Sequence, residues 1–291
     1  MKLNKNASLA ASAAALLSLS APCLAIDGSP ADYTWFPSGT KLFLLYGQYS
    51  SASSLRLDGI GELPQSRADI LLGLVRGVSY QEVAGMRTSV QFFVPFATIP
   101  TARIAGVDQP VSNGVGDLTV GATLYPLASS DPTGTTVGVT LFVGAPTGNY
   151  QLGNVNLSTG TWVVTPQAAL IQGLGNGVFF DAIVDMAFTR SKVHQGVKIE
   201  QDESSQIQTY LRYQFSPATS VSVGYSGRWG GEQYVDGVYA GTRTRNDQVR
   251  IVGSTFITPK SQLQLLLGRD VKVEGGFKND LVAQVRYAML F

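Results

Sequence analysis

The sequence predicts an all-β fold: a transmembrane antiparallel β-barrel of about twelve strands with short periplasmic turns and long extracellular loops. Three observations predict it. Apolar and polar residues alternate with period two along most of the chain, charge is scarce, and the final alternating segment ends on an aromatic residue. Of 291 residues, 44% are hydrophobic and 14% charged. Soluble domains carry about 25% charged residues, so much of this surface faces something other than water. That composition, with 10% aromatics, excludes a disordered chain. A net charge of +1 gives nucleic acid no electrostatic footprint.

The alternation is plainest in the second half. Ile207, Thr209, Leu211, Tyr213 and Phe215 share one parity, and Gln206, Gln208, Tyr210, Arg212 and Gln214 the other, a sorting that no helix produces. Val221, Val223, Tyr225 and Trp229 against Ser220, Ser222, Ser226 and Arg228 repeat it, as do Val249 and Ile251 against Gln248 and Arg250, and Leu263, Leu265 and Leu267 against Gln262 and Gln264. Segments of this kind fall near residues 40–49, 68–78, 86–96, 116–125, 135–145 and 162–173, then 178–189, 204–215, 220–229, 246–257, 262–270 and 280–291. Short turns at Gly175-Asn176-Gly177, Ser216-Pro217-Ala218-Thr219 and Thr258-Pro259-Lys260-Ser261 alternate with longer linkers near 97–115, 146–161, 190–203 and 230–245.

Alternation alone does not say which face is wet. Strands of about ten residues with connections alternating short and long fit a barrel in a bilayer, whereas a soluble sandwich has no reason for that alternation. Aromatics gather at segment ends, Tyr125, Phe180, Tyr213 and Phe215 on the short-turn side and Tyr49, Trp162, Phe188 and Trp229 on the other, as two interfacial girdles would. The last segment puts Leu281, Ala283, Val285, Tyr287, Met289 and Phe291 on one parity, with Asp280, Gln284 and Arg286 opposite. A closing strand of this form resembles the assembly signal of bacterial outer-membrane barrels, with Tyr287, Met289 and Phe291 as its residues and the barrel-assembly machinery as the implied partner. Lipid forces closure, because an open sheet edge there leaves backbone groups unpaired.

Residues 1–25 read as a cleaved signal peptide of a Gram-negative outer-membrane protein: Lys2 and Lys5, an apolar Leu9 to Leu19 core, and cleavage after Ala25. Without them the chain carries 19 basic and 20 acidic residues and no cysteine, so disulfides play no part. Residues 26–39, with Trp35 and Phe36, form an N-terminal periplasmic segment expected to fold toward the lumen as a plug, and 40–291 form the barrel.

Phe36-Pro37-Ser38-Gly39-Thr40, Gly114-Val115-Gly116-Asp117-Leu118-Thr119-Val120-Gly121, Ala145-Pro146-Thr147-Gly148-Asn149-Tyr150 and the stretch from Asn156 to Trp162 with Pro166 resemble the motifs of the "MetA-pathway of phenol degradation" family. The resemblance covers most of the chain after residue 25. It implies an outer-membrane barrel that passes small hydrophobic or aromatic molecules.

Chemistry must sit on the polar parity. Arg87, Asp117, Asp181, Asp185, Arg212, Arg228, Arg250 and Arg286 are the expected pore-lining residues, since arginine on the lipid face would cost about 2–4 kcal/mol at the midplane. Asp181, Asp185 and Arg212 lie on successive segments and can pair across them; Arg228 and Arg250 extend a basic ladder. That ladder reads either as a satisfied network filling a small barrel or as a transverse field orienting polar or anionic solutes. Phe43, Phe93 and Phe256 are candidates for a hydrophobic path. Asp117 either lines the lumen or bonds turn amides.

No catalytic site is expected. The one histidine, His194, lies in a Lys/Gln/Gly loop with only Ser191 near it, short of a nucleophile, base and orienter. No Cys/His cluster offers a metal site, and no cofactor is implied, although Asp202 and Glu203 could hold a divalent cation loosely. A third reading gives the work to the loops: Tyr234, Tyr239, Arg243 and Arg245 could contact lipopolysaccharide or a protein, with Arg190 and Arg269 placed to meet anionic headgroups. Expected partners are therefore outer-membrane lipid, lipopolysaccharide and a small-molecule solute.

Overall fold

The computed structural model describes residues 27–291; the expected signal peptide and its cleavage site lie outside the described residues. Twelve long strands run in order: β1 (Lys41–Leu57), β2 (Arg67–Val83), β3 (Met86–Ile104), β4 (Leu118–Leu127), β5 (Thr135–Ala145), β6 (Val163–Gly175), β7 (Val178–Thr189), β8 (Ser204–Gln214), β9 (Thr219–Gly230), β10 (Asn246–Thr258), β11 (Ser261–Val273) and β12 (Gly276–Leu290). Each pairs antiparallel with the next. β1 also pairs with β12, so that Leu42 stands opposite both Val78 and Leu290 and the sheet closes. Phe291 completes the seam by exchanging backbone hydrogen bonds with Lys41. Closure leaves the wall without a free edge, as lipid demands.

Side-chain parity sets the two faces. On β8 to β12, Leu211, Val223, Ile251, Leu265 and Val285 are 47–58% exposed. Their inward counterparts Arg212, Ser222, Arg250, Gln264 and Arg286 are at most 7% exposed. An apolar belt of that size would be anomalous in water, whereas in a bilayer it is the surface that inserts. The twelve-stranded antiparallel barrel is therefore the observed architecture.

Local chemistry places the turns. Asn176 and Gly177 have φ of 52° and 78°, both central residues left-handed as a type I′ hairpin requires. This short-turn end, where the chain enters β1 and leaves β12, is the periplasmic end in barrels of this kind. At the opposite end the loops fold on one another. Val155–Asn156 pairs with Val111–Ser112, and Lys192–His194, Val197–Gln201, Gln233–Val235 and Val238–Tyr239 make a second small sheet.

Three expectations need correction. β1, β2 and β3 run well past the expected ends, and β12 begins at Gly276 after the tight Glu274-Gly275 link, so one connection on the long-loop side is short. The extension of β2 runs down to the short turn at Val83, while those of β1 and β3 flank the top of β2 above the apolar belt, where Ser51, Asp69, Thr101 and Arg103 form the outer row and Ala52, Ala68 and Ala102 the inner. Hydropathy there does not alternate in the lipid-facing sense. Tyr125 is not a girdle residue: it faces inward at 6% exposure, packed on Trp35 at 5.3 Å between ring centroids.

Candidate functional site

The inward face of β6 to β12 carries a dense polar lining, and the segment before β1 lies inside it. Asp27 accepts hydrogen bonds from Gln206 Nε2 at 2.7 Å, Gln208 Nε2 at 2.5 Å, Arg228 at 2.8 Å and Arg250 at 2.9 Å. Gln208 Oε1 in turn accepts from the Gly28 amide at 3.0 Å, and Tyr210 donates to the Gly28 carbonyl at 3.0 Å. A Cβ at position 28 would lie 2.1 Å from Ile183 Cδ1. A side chain there would have to displace the end of Ile183.

One turn further on, Asp32 bridges Arg76 at 3.1 Å and Arg286 at 2.5 Å. Arg76 also donates from Nε and a terminal nitrogen to Gln91 Oε1. The Tyr33 hydroxyl bonds Thr140 at 2.8 Å and donates to Gln167 at 2.7 Å. Trp35 and Phe36 then stack edge-on against Tyr80 at 5.5 and 5.4 Å. Burial pushes the Asp27 carboxyl up, but the Arg250 and Arg228 guanidiniums more than offset it and hold the group at about 2. Asp27 is thus ionised at neutral pH.

Above this segment, toward the long loops, a cavity of about 220 Å³ has Asp27 and Gly28 in its floor. One wall is apolar, formed by Ile70, Leu72, Ile99, Ala102, Val155 and Leu157; another is polar, with Gln48, Gln248, Arg250 and Gln284. Beside Asp32 and Tyr33 the free space falls to about 10 Å³, close to the volume of a single water probe.

The expected site residues separate into groups. Arg228 and Arg250 meet on Asp27, and Arg286 joins Arg76 on Asp32. Arg212 pairs with Asp181 at 3.0 Å and stacks over the Phe179 ring at 4.2 Å. Asp185 accepts from Gln167 at 3.1 Å. The ladder's counterions are therefore mostly on the N-terminal segment rather than on β7, because Asp181 is taken by Arg212. Arg87 sits at the periplasmic rim, exposed, donating to the Ala128 carbonyl.

Asp117 bonds the following loop. It accepts from the Gly148 amide, the Ser158 hydroxyl, and both the amide and hydroxyl of Thr159 at 2.7–3.0 Å, fixing residues 146–162 over the lumen. Lys192 reinforces that loop, donating to the Thr159 carbonyl and lying 3.3 Å from the Tyr150 ring centroid. Burial brings its ammonium down to about 8.

Of the hydrophobic candidates, Phe93 faces inward at 7% exposure, edge-on to Phe142 at 5.8 Å, with the Arg76 guanidinium 4.9 Å from its ring centroid. Phe256 shares the inward parity of Val252 on β10. Phe43 does not belong with them. Leu42, Leu44 and Tyr46 occupy the inward row of β1, and Phe43 stands opposite Met289 and Gly77 on the lipid face. Tyr287 and Met289 also face outward, the Tyr287 hydroxyl bonding Ser261 at 3.1 Å.

Sequence reasoning missed Asp27, Asp32, Tyr33, Arg76, Gln208 and Tyr210. The signal available was charge imbalance: five inward arginines, at positions 76, 212, 228, 250 and 286, face three inward acids on the strands, Asp181, Asp185 and Asp270, and Asp270 is taken by Gln248 and Asn279. Buried guanidiniums need counterions, and the segment preceding β1 holds two acids.

Comparison with known proteins fits this architecture. The outer-membrane channel of the COG4313 group from Pseudomonas putida F1 superposes with a TM-score of 0.84 at 30% identity, covering 91% of this chain and all of that one. The transport unit of the autotransporter AIDA-I from Escherichia coli shares the fold alone, with a TM-score of 0.55 at 9% identity over 96% of this chain and 98% of that one. The NanC porin is likewise a fold relative, at 0.50 and 10% identity, over 85% and 98%. No curated protein matches by sequence. Residues 50–287 match the family described as "MetA-pathway of phenol degradation", and the chain belongs to that family of outer-membrane β-barrel channels.

Proposed function

We propose that this barrel is a passive channel for small hydrophobic or aromatic compounds, loaded through the upper cavity and closed from below by residues 26–39. One observation carries the reading: a chamber of about 220 Å³ with an apolar wall from Ile70 to Leu157 and a polar wall bearing Gln48, Gln248 and Gln284. A dry apolar cavity of about 150 Å³ accepts benzene, so this one holds a single ring with one polar substituent. The family's description, phenol degradation, supports the same class of cargo. The reading assigns no chemical step to the protein and no cofactor. It includes export through a signal peptide cleaved after Ala25 and insertion by the barrel-assembly machinery through Tyr287, Met289 and Phe291.

A second reading rests on the arginines. If the segment leaves the lumen, Arg76, Arg228, Arg250 and Arg286 lose Asp27 and Asp32 and line a hydrophilic path that attracts small anions. Flux of phenol and of a similar-sized sugar into proteoliposomes separates the two. Selective phenol entry, reduced by Ile99→Trp or Leu72→Trp, supports the aromatic channel. Equal entry of both, insensitive to these substitutions, refutes it.

A further inference from the structure

We propose that the outer face of β2 and β3, just above the apolar belt, binds a phosphate of lipid A through Arg67 and Arg103. The two residues are direct cross-strand partners. Both side chains are exposed, at 59% and 49%, and both lie on the lipid-facing parity: below them the same row carries Leu71 and Phe96, 50% and 47% exposed. Like charges set opposite one another on a sheet destabilise it. Asp69 and Asp108 each compensate one guanidinium, and an anion set between the two arginines would be shared by the donors that those acids leave open.

Their orientation is fixed from within the protein. Asp69 accepts from Arg67 Nε at 2.7 Å and is itself held by the hydroxyls of Tyr49 at 3.1 Å and Ser51 at 2.7 Å. Asp108 accepts from Arg103 Nε at 2.7 Å. Asp69 takes the Nε edge of Arg67, with Nη2 also reaching its second oxygen at 3.4 Å, and Asp108 takes Arg103 Nε; Arg67 Nη1 and the terminal nitrogens of Arg103 remain on the side away from the acids, and the planar fork of arginine matches phosphate oxygens. Height along the wall identifies the lipid. Arg67 lies four residues above Leu71, roughly 13 Å along the strand, at the step from hydrocarbon to headgroup on the side of the long loops. In the outer membrane that leaflet is lipopolysaccharide, whose lipid A anchor carries phosphates at this depth.

The test uses the refolded full mature chain in detergent, titrated with diphosphoryl lipid A, monophosphoryl lipid A and inorganic phosphate, with bound lipid counted by native mass spectrometry. Folding of each variant is checked by heat-modifiable gel mobility. The expected result is binding of diphosphoryl lipid A that weakens at least about tenfold in R67Q/R103Q, is intermediate in R67K/R103K because charge remains without the fork, and withstands millimolar inorganic phosphate. A folded R67Q/R103Q variant that binds lipid A like the parent overturns the proposal. So does full displacement by inorganic phosphate, which would make this a site for free anions.

Discussion

Replacing Asp32 by Asn tests how the N-terminal segment is held. Asp32, Arg76 and Arg286 form a triad whose side chains are 8%, 12% and 6% exposed, with contacts of 3.1 and 2.5 Å. Removing one partner of a buried ion pair costs about 3–5 kcal/mol, because the other charge is left uncompensated. The barrel has an escape that a solid core lacks. The segment is covalently continuous with the wall only at its C-terminal end, so releasing it, with its remaining hydrogen bonds to the wall, readmits water to both arginines. The cost therefore falls on the docked state rather than on the barrel. At 1.4 kcal/mol per factor of ten, 3 kcal/mol shifts the docked-to-released ratio by roughly a hundredfold. Single-channel recording in planar bilayers reads this as open fraction, expected to rise by about that factor in Asp32→Asn. A folded variant with the open fraction of the parent refutes the reasoning.

Other consequences follow from the same geometry. Asp27 is held at about 2, below the ordinary value near 3.9, so its contribution to docking is complete above pH 4 and is lost as pH falls through 2; conductance is expected to stay constant from pH 8 to pH 4 and to rise only in stronger acid, and a rise near pH 6 contradicts the assignment. Arginine at Val223 or Leu265 is expected to impair membrane insertion by about 2–4 kcal/mol, whereas Arg250→Gln leaves assembly intact; equal folding yields at all three sites would falsify the face assignment. Asp117→Ala removes the acceptor of four hydrogen bonds from residues 148, 158 and 159, and each bond to a charged group is worth about 1.5–3 kcal/mol. Limited proteolysis within 146–162 should accelerate while the barrel stays resistant.

The wall was legible in the sequence because a lipid-facing strand must alternate, and Leu211/Arg212, Val223/Ser222 and Leu265/Gln264 each do so under that pressure. Legibility stopped where the pressure stops. Above the belt, the outer rows of β1 to β3 turn polar around Ser51, Asp69 and Arg103, and the upper parts of β1 and β3 read as loop. Phe43 was misplaced because β1 has apolar residues on both faces: Leu42 and Leu44 pack inward on the aromatic plug while Phe43 and Leu45 meet lipid. Tyr125 was misplaced for the same reason, its inward neighbour being Trp35. The arginines of the ladder are legible one by one from parity, but their partners are not, since cross-strand pairing reaches only neighbouring strands. Asp27 and Asp32 lie some 180 to 254 residues from Gln208 and Arg286 in sequence, and no periodicity connects them. Asp117 reads equally from sequence as a lumen-lining or a turn-bonding acid, because its four hydrogen bonds to the next loop exist only once β4 and β5 are paired.

Ion selectivity of the refolded chain with and without residues 26–39, measured in planar bilayers under a salt gradient, tests the central claim that this segment closes the lumen by neutralising its arginines. The intact chain should be nearly silent, with brief openings. The shortened chain should conduct steadily and favour anions, because Arg76, Arg228, Arg250 and Arg286 then face water without Asp27 and Asp32. Equal conductance of the two chains, or a cation-selective current from the shortened one, would contradict the account.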